Sequence, residues 1–244
     1  QADLIVEKAC NLFWGFASNV ERVIKKTKKK MKTLTLKTPL VVAMCMFALF
    51  SQSCKKDEIP TPALTSTDNS EFKAEMRYLW SDHATWTRDV IIGILDQTPD
   101  ASADLARLLE NQVDIGNAIK PYYGDAAGQA LTDLLTEHIV IAGDILVAAR
   151  DGDTAGFDAA NAAWYQNGED IAVFLNTANP ENWELEPMKM HMEHHLDLTL
   201  AEAVAHLSGN HEEEVQVYDD VYEQLMDLAD ILADGIADQF PGQF

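Results

Sequence analysis

From residue 71 to the C-terminus, apolar positions recur at alternating intervals of three and four, the period of a helix that turns one face to a core. No stretch alternates with the two-residue period of a strand. Six helices are predicted. The first covers about 71–95, with Asn69 or Ser70 as N-cap and Met76, Trp80, His83, Thr87, Val90 and Ile94 on one seam. Gln97-Thr98-Pro99-Asp100 breaks it, and Asp100 or Ser102 caps a second helix whose inward series is Leu105, Leu108, Gln112, Ile115 and Ile119. Lys120-Pro121 is expected to stop that helix, because the residue before a proline is pushed out of the helical region. The third helix spans about 126–150 with Ala127, Leu131, Leu134, His138, Ile141, Ile145 and Ala148 inward.

A turn at Asp151-Gly152-Asp153-Thr154 leads to a fourth helix ending near 176, which buries Phe157, Trp164, Ile171 and Leu175. The fifth, about 187–207, opens on Pro187, which suits a first helical turn. Its inward stripe is Met188, Met192, His195, Thr199 and Glu202. The sixth, about 212–239, begins with three glutamates at the positive end of its dipole and carries Val215, Tyr218, Tyr222, Leu225, Ala229, Leu232 and Ile236 on its seam. The pattern defines an all-α, up-and-down bundle of about six helices, residues 71–244, large enough for a substantial core.

Polar residues interrupt these seams where leucines would be ordinary, and their heights agree. His83 lies 12 residues before Leu95, a drop of about 18 Å along its helix. His138 lies 12 residues into the third helix and His195 eight into the fifth, so the odd-numbered helices bring three imidazoles to one layer. On the sixth helix the matching height is near Gln224, with Tyr222 inward. A buried polar group without a partner costs roughly 1 to 3 kcal/mol, so the imidazoles are expected to satisfy one another or a ligand. The expected site is a transition-metal centre (Fe, Cu, Zn or Mn) held by His83, His138 and His195, with Gln112, Asp114 or Glu202 supporting. Glu202, two turns below His195, could instead pair with Tyr218 or Asp219. Two readings stay open beside it: a structural domain whose polar core is self-satisfied, and an enzyme using His83 or His138 as general base on a small substrate. His191 and His195, one turn apart, offer a rival chelate with His194 nearby. Met188, Met190 and Met192 have the composition of a copper thioether set but also suit packing.

Upstream, Met31 begins a positively charged segment with Lys32 and Lys37, followed by a 12-residue apolar run, 39–50, and then Cys54. A membrane-spanning helix needs about 20 residues, so this reads as a signal peptide over 31–53. Ser51-Gln52-Ser53-Cys54 followed by Lys55-Lys56-Asp57-Glu58 resembles the lipobox and export signal of Bacteroidetes lipoproteins. That resemblance implies lipid attachment at Cys54 and anchorage to the outer membrane, periplasmic or cell-surface facing. Residues 1–30 are read as an extension of the gene model, and 54–70, rich in Pro, Ser and Thr, as a flexible tether.

The whole chain has a formal charge of −22, and residues 54–244 hold 9 Lys/Arg against 37 Asp/Glu, about −28. Such a surface repels nucleic acid and is compatible with cations. One cysteine remains after position 53, so ligands must be His, carboxylate, amide or Met. Trp80-Ser81-Asp82-His83, Thr85-Trp86-Thr87-Arg88, Asn111-Gln112-Val113-Asp114-Ile115-Gly116, Pro121-Tyr122-Tyr123-Gly124, His138-Ile139 and His195-Leu196 through Thr199 and Glu202 resemble a family of small bacterial all-helical proteins. The resemblance implies a ferritin-like or hemerythrin-like bundle and no accepted activity. The paired Glu-x-x-His motifs of di-iron proteins are missing, Glu137 and His138 being adjacent, and nothing matches an α/β nucleotide site.

Overall fold

The computed structural model describes residues 69–244, so the readings placed on the signal segment, Cys54 and most of the tether lie outside the described residues. Six helices follow one another: α1 Ser70–Asp96, α2 Ala101–Tyr123, α3 Asp125–Asp151, α4 Thr154–Ala178, α5 Leu185–Leu207 and α6 His211–Gln239. No strand occurs among the described residues. Each helix packs on the next, and α1 packs on α6, which closes the six into a ring around a common core. Short connections make neighbours antiparallel, so α1, α3 and α5 run one way and α2, α4 and α6 the other. Among the described residues no helix is long and apolar enough to cross a membrane.

The termini follow local chemistry. Gln97 at φ 56° and Gly152 at φ 72° close α1 and α3 in the left-handed region, which suits a helix C-terminus. Asp153 caps α4 by accepting from the Gly156 amide at 3.0 Å, as an N-cap carboxylate should. The expected stop at Lys120-Pro121 is corrected: α2 continues through Pro121 to Tyr123. A proline in the last turn loses only one hydrogen bond, and the chain reverses at Gly124, φ 84°, whose amide bonds the Lys120 carbonyl at 2.9 Å.

The core holds the predicted seams, including Met76, Trp80, Ile115, Leu131, Trp164, Ile171, Met188, Met192, Leu225 and Ile236. Gly116 and Gly128 let α2 and α3 touch, for a β-carbon on Gly116 would fall 2.0 Å from Thr132 Oγ1 and 2.5 Å from the Gly128 carbonyl oxygen. The seam of α6 is corrected in its first half. Val215 and Tyr222 face solvent, while Glu214, Val221 and Gln224 are buried. Tyr222 hydrogen-bonds Ser81 at the surface, 3.0 Å. The methionines of α5 separate: Met188 and Met192 enter the core and Met190 is exposed.

Candidate metal centre

The odd-numbered helices do bring three imidazoles into one layer. His83, His138 and His195 are 2%, 3% and 4% exposed, and the ring of His195 lies 6.0 Å from that of His83 and 6.2 Å from that of His138, centre to centre. The even helices complete the layer with Gln112, Asn167 and Gln224, all buried. Indole rings wall it, Trp80 at 5.5 Å from His83 and Trp164 at 5.1 Å from His138.

Hydrogen bonds fix part of this layer. Asn167 donates through Nδ2 to the Leu134 carbonyl and to Glu137, 3.2 Å each, which leaves its Oδ1 to accept from His138 Nδ1 at 2.8 Å. The proton of His138 therefore sits on Nδ1, and its Nε2 is a bare lone pair with no partner in the protein. Gln112 Nε2 donates to the Leu108 carbonyl at 2.7 Å and to Asn111 Oδ1 at 3.2 Å. With both hydrogens committed it makes only a long contact to His83 Nδ1, 3.3 Å. His195 Nδ1, Gln112 Oε1 and Gln224 Oε1 are likewise buried without partners. Burial holds His83 and His138 down at about 4, the charge of His138 adding to the effect on His83. His195 is pushed well below the ordinary histidine value, first by burial and then by its two neighbours. All three rings are neutral at pH 7.

The other expected ligands fall elsewhere. Asp114 stays at the surface, its side chain 46% exposed and 3.8 Å from Arg107. Two residues from Gln112 is about 200° around the helix, so the two cannot share a face. Glu202 is buried two turns from His195, with neither Tyr218 nor Asp219 as its partner: it accepts from Arg88 Nη1 at 2.9 Å. Arg88, its guanidinium 4.8 Å from the centre of the Tyr218 ring, donates through Nη2 to Glu214 Oε1 at 2.7 Å. His191 and His194 are only partly buried and no metal-sized group forms around them and His195 among the described residues.

Glu214 leads to residues that the periodicity did not single out. Its Oε2 accepts from His206 Nδ1 at 3.1 Å and from His211 Nδ1 at 2.9 Å. One atom from each of His206, His211 and Glu214 lies within 4.8 Å of the other two, the group among the described residues with that spacing. On its far side, His206 Nε2 is 3.2 Å from Asp96 Oδ1. Burial pushes Glu214 up, but hydrogen bonds from His211 and His206 and the charge of Arg88 outweigh it and hold the carboxyl below its usual range. Glu202, more deeply enclosed, is raised by burial to about 7 in spite of Arg88.

The group joins the last turn of α5 to the first turn of α6, across the turn Ser208–Asn210. Two imidazoles and one carboxylate are a ligand set that transition metals accept with coordination positions left over. A carboxylate on the second nitrogen of a ligating histidine is the usual way its tautomer is set, and Asp96 stands there. The chain is thus an all-α helical bundle with a group of buried His206 and Glu214 and exposed His211 that could hold a metal ion. Compared with family models, curated proteins and solved structures, it matches none.

Proposed function

We propose that this is a metal-binding protein of the cell envelope, held at the outer membrane by lipid on Cys54, with its transition-metal centre at His206, His211 and Glu214. The observation that carries the reading is the convergence of three ligand atoms within 4.8 Å, backed by Asp96 on the free nitrogen of His206. The interior histidines foreseen from the periodicity form a separate layer about three turns away, His195 standing 11 residues before His206 on α5. Nitrogen and oxygen ligands of this kind suit Zn, Fe, Mn or Cu(II). Without metal, both Nδ1 atoms serve Glu214; for those nitrogens to ligate, the ring protons must sit on Nε2, where Asp96 stands to accept that of His206.

The general-base reading has little room. The cavity beside His83, His138 and His195 is about 30 Å³, space for one or two waters and far below the roughly 300 Å³ of a small-molecule pocket. The envelope location rests on Lys32, Lys37, the apolar run 39–50 and Cys54 followed by Lys55-Lys56-Asp57-Glu58.

The test is metal analysis of protein purified without a histidine tag and incubated separately with Zn, Fe, Mn and Cu(II). One ion per chain in the native protein, lost in H211Q, supports the centre. His211 is 69% exposed in its side chain, so that variant should leave the fold intact. Sub-stoichiometric binding, or binding indifferent to H211Q, refutes it. Incorporation of labelled fatty acid, abolished by Cys54→Ser, tests the anchor.

A further inference from the structure

The interior layer has its own chemistry, independent of the Glu214 centre. Its unpartnered atoms are Trp80 Nε1, His138 Nε2, His195 Nδ1, Gln112 Oε1 and Gln224 Oε1. The amide oxygens accept only, and His138 Nε2 is an acceptor because Asn167 holds the proton on the other nitrogen. A hydrogen-bond donor or a cation suits these three acceptors, while the Trp80 N–H is itself a donor. The walls narrow the choice. The 30 Å³ cavity is lined by Met192, one turn from His195, as well as Trp80, His83, His138 and His195, which sets a thioether beside three imidazoles. Thioether and imidazole together favour a soft ion.

Charge and spacing point the same way. No carboxylate lines the cavity, and Glu137 reaches His138 only through Asn167. Bringing an ion into such a place costs several kcal/mol, and the penalty grows with the square of the charge, so a divalent ion held by neutral ligands alone is strongly disfavoured. With metal–nitrogen bonds of about 2 Å, imidazoles facing each other across an ion have centres about 6 Å apart, whereas a tetrahedral set brings them to about 5 Å. The His138–His195 separation of 6.2 Å, with ring planes 27° apart, leaves the room that the open angle of a two-coordinate ion needs. We propose that the layer is a second metal site, specific for monovalent copper, held between His138 Nε2 and His195 Nδ1 with Met192 as a weak third ligand.

The site is tested by anaerobic titration of the purified protein with Cu(I) against a colorimetric Cu(I) chelator. The native chain and His194→Gln, altered on the neighbouring partly exposed ring, should each withdraw one Cu(I) from the chelator. H138Q and H195Q should bind at least about 100-fold more weakly, with helical content checked by circular dichroism. X-ray absorption of the native complex, which needs no variant, should show two nitrogen neighbours near 2 Å and at most one sulfur. Failure of the native protein to compete for Cu(I), a sulfur-dominated shell, or loss of Cu(I) binding in H211Q with retention in H138Q and H195Q would each overturn the site. None of these outcomes depends on whether the Glu214 centre takes a divalent ion.

Discussion

Three neutral imidazoles buried in one layer make the bundle sensitive to acid. His83 and His138 are held at about 4 against an ordinary 6.5 by burial, with His138 also acting on His83. Each such fall is worth about 3 kcal/mol. The sign follows from proton counting. Between pH 6.5 and 4 the unfolded chain protonates these rings and the folded chain does not, so their contribution is complete above 6.5 and is lost as pH falls toward 4. His195, displaced in the same direction, adds to the loss. Glu202 opposes it: raised by burial to about 7 from 4.5, its contribution is complete below 4.5 and is lost as pH rises through 7, a similar amount of about 3 kcal/mol. The two histidines less the glutamate leave a loss of about 3 kcal/mol on acidification, before His195 is counted, out of the 5 to 15 kcal/mol typical of a domain.

Urea denaturation of the native protein and of His138→Gln, at intervals from pH 7 to pH 4, isolates the effect from the many surface carboxylates common to both. The native protein should lose about 3 kcal/mol more than the variant over that range, with a difference in slope approaching 1.4 kcal/mol per pH unit. Removing His138 also relieves His83, which moves the comparison the same way. Because slopes are compared, a lower absolute stability of the variant does not disturb the result. Identical pH dependence in the two proteins would refute the claim that these rings are buried and neutral.

Other consequences are sharper in space. Arg88→Leu leaves Glu202 and Glu214 buried without their cation and should cost 3 to 5 kcal/mol, read as a shift in the urea midpoint at pH 7.5. Gly116→Ala forces a methyl against Thr132 and the Gly128 carbonyl and should destabilise by about 1 to 3 kcal/mol, whereas Gly143→Ala, with open space around its β-carbon, should be neutral or stabilising by up to about 1 kcal/mol through helix propensity. Asp96→Asn removes the carboxylate from His206 Nε2 and should weaken divalent metal binding roughly 10- to 100-fold by calorimetric titration, with thermal stability little changed.

The architecture was legible because helical period and loop length are local properties. Short turns force antiparallel neighbours, so counting from them placed His83, His138, His195 and Gln224 at one height, where the structure also has them. Counting cannot reveal ring rotation, and that is why the layer has centres about 6 Å apart in place of a compact triad. The Glu214 cluster was missed for another reason. Three successive glutamates at a helix start are what the dipole alone would select, and Arg88 reads as a solvated cation until its two buried partners from α5 and α6 are seen. A signal was nonetheless present. The stripe Met188, Met192, His195, Thr199, Glu202 continues by one more step of four to His206, and Glu214 lies one heptad before the buried Val221. A stripe that ends on a buried imidazole, followed eight residues later by a carboxylate on the core face of the next helix, brings the two together across the turn Ser208–Asn210.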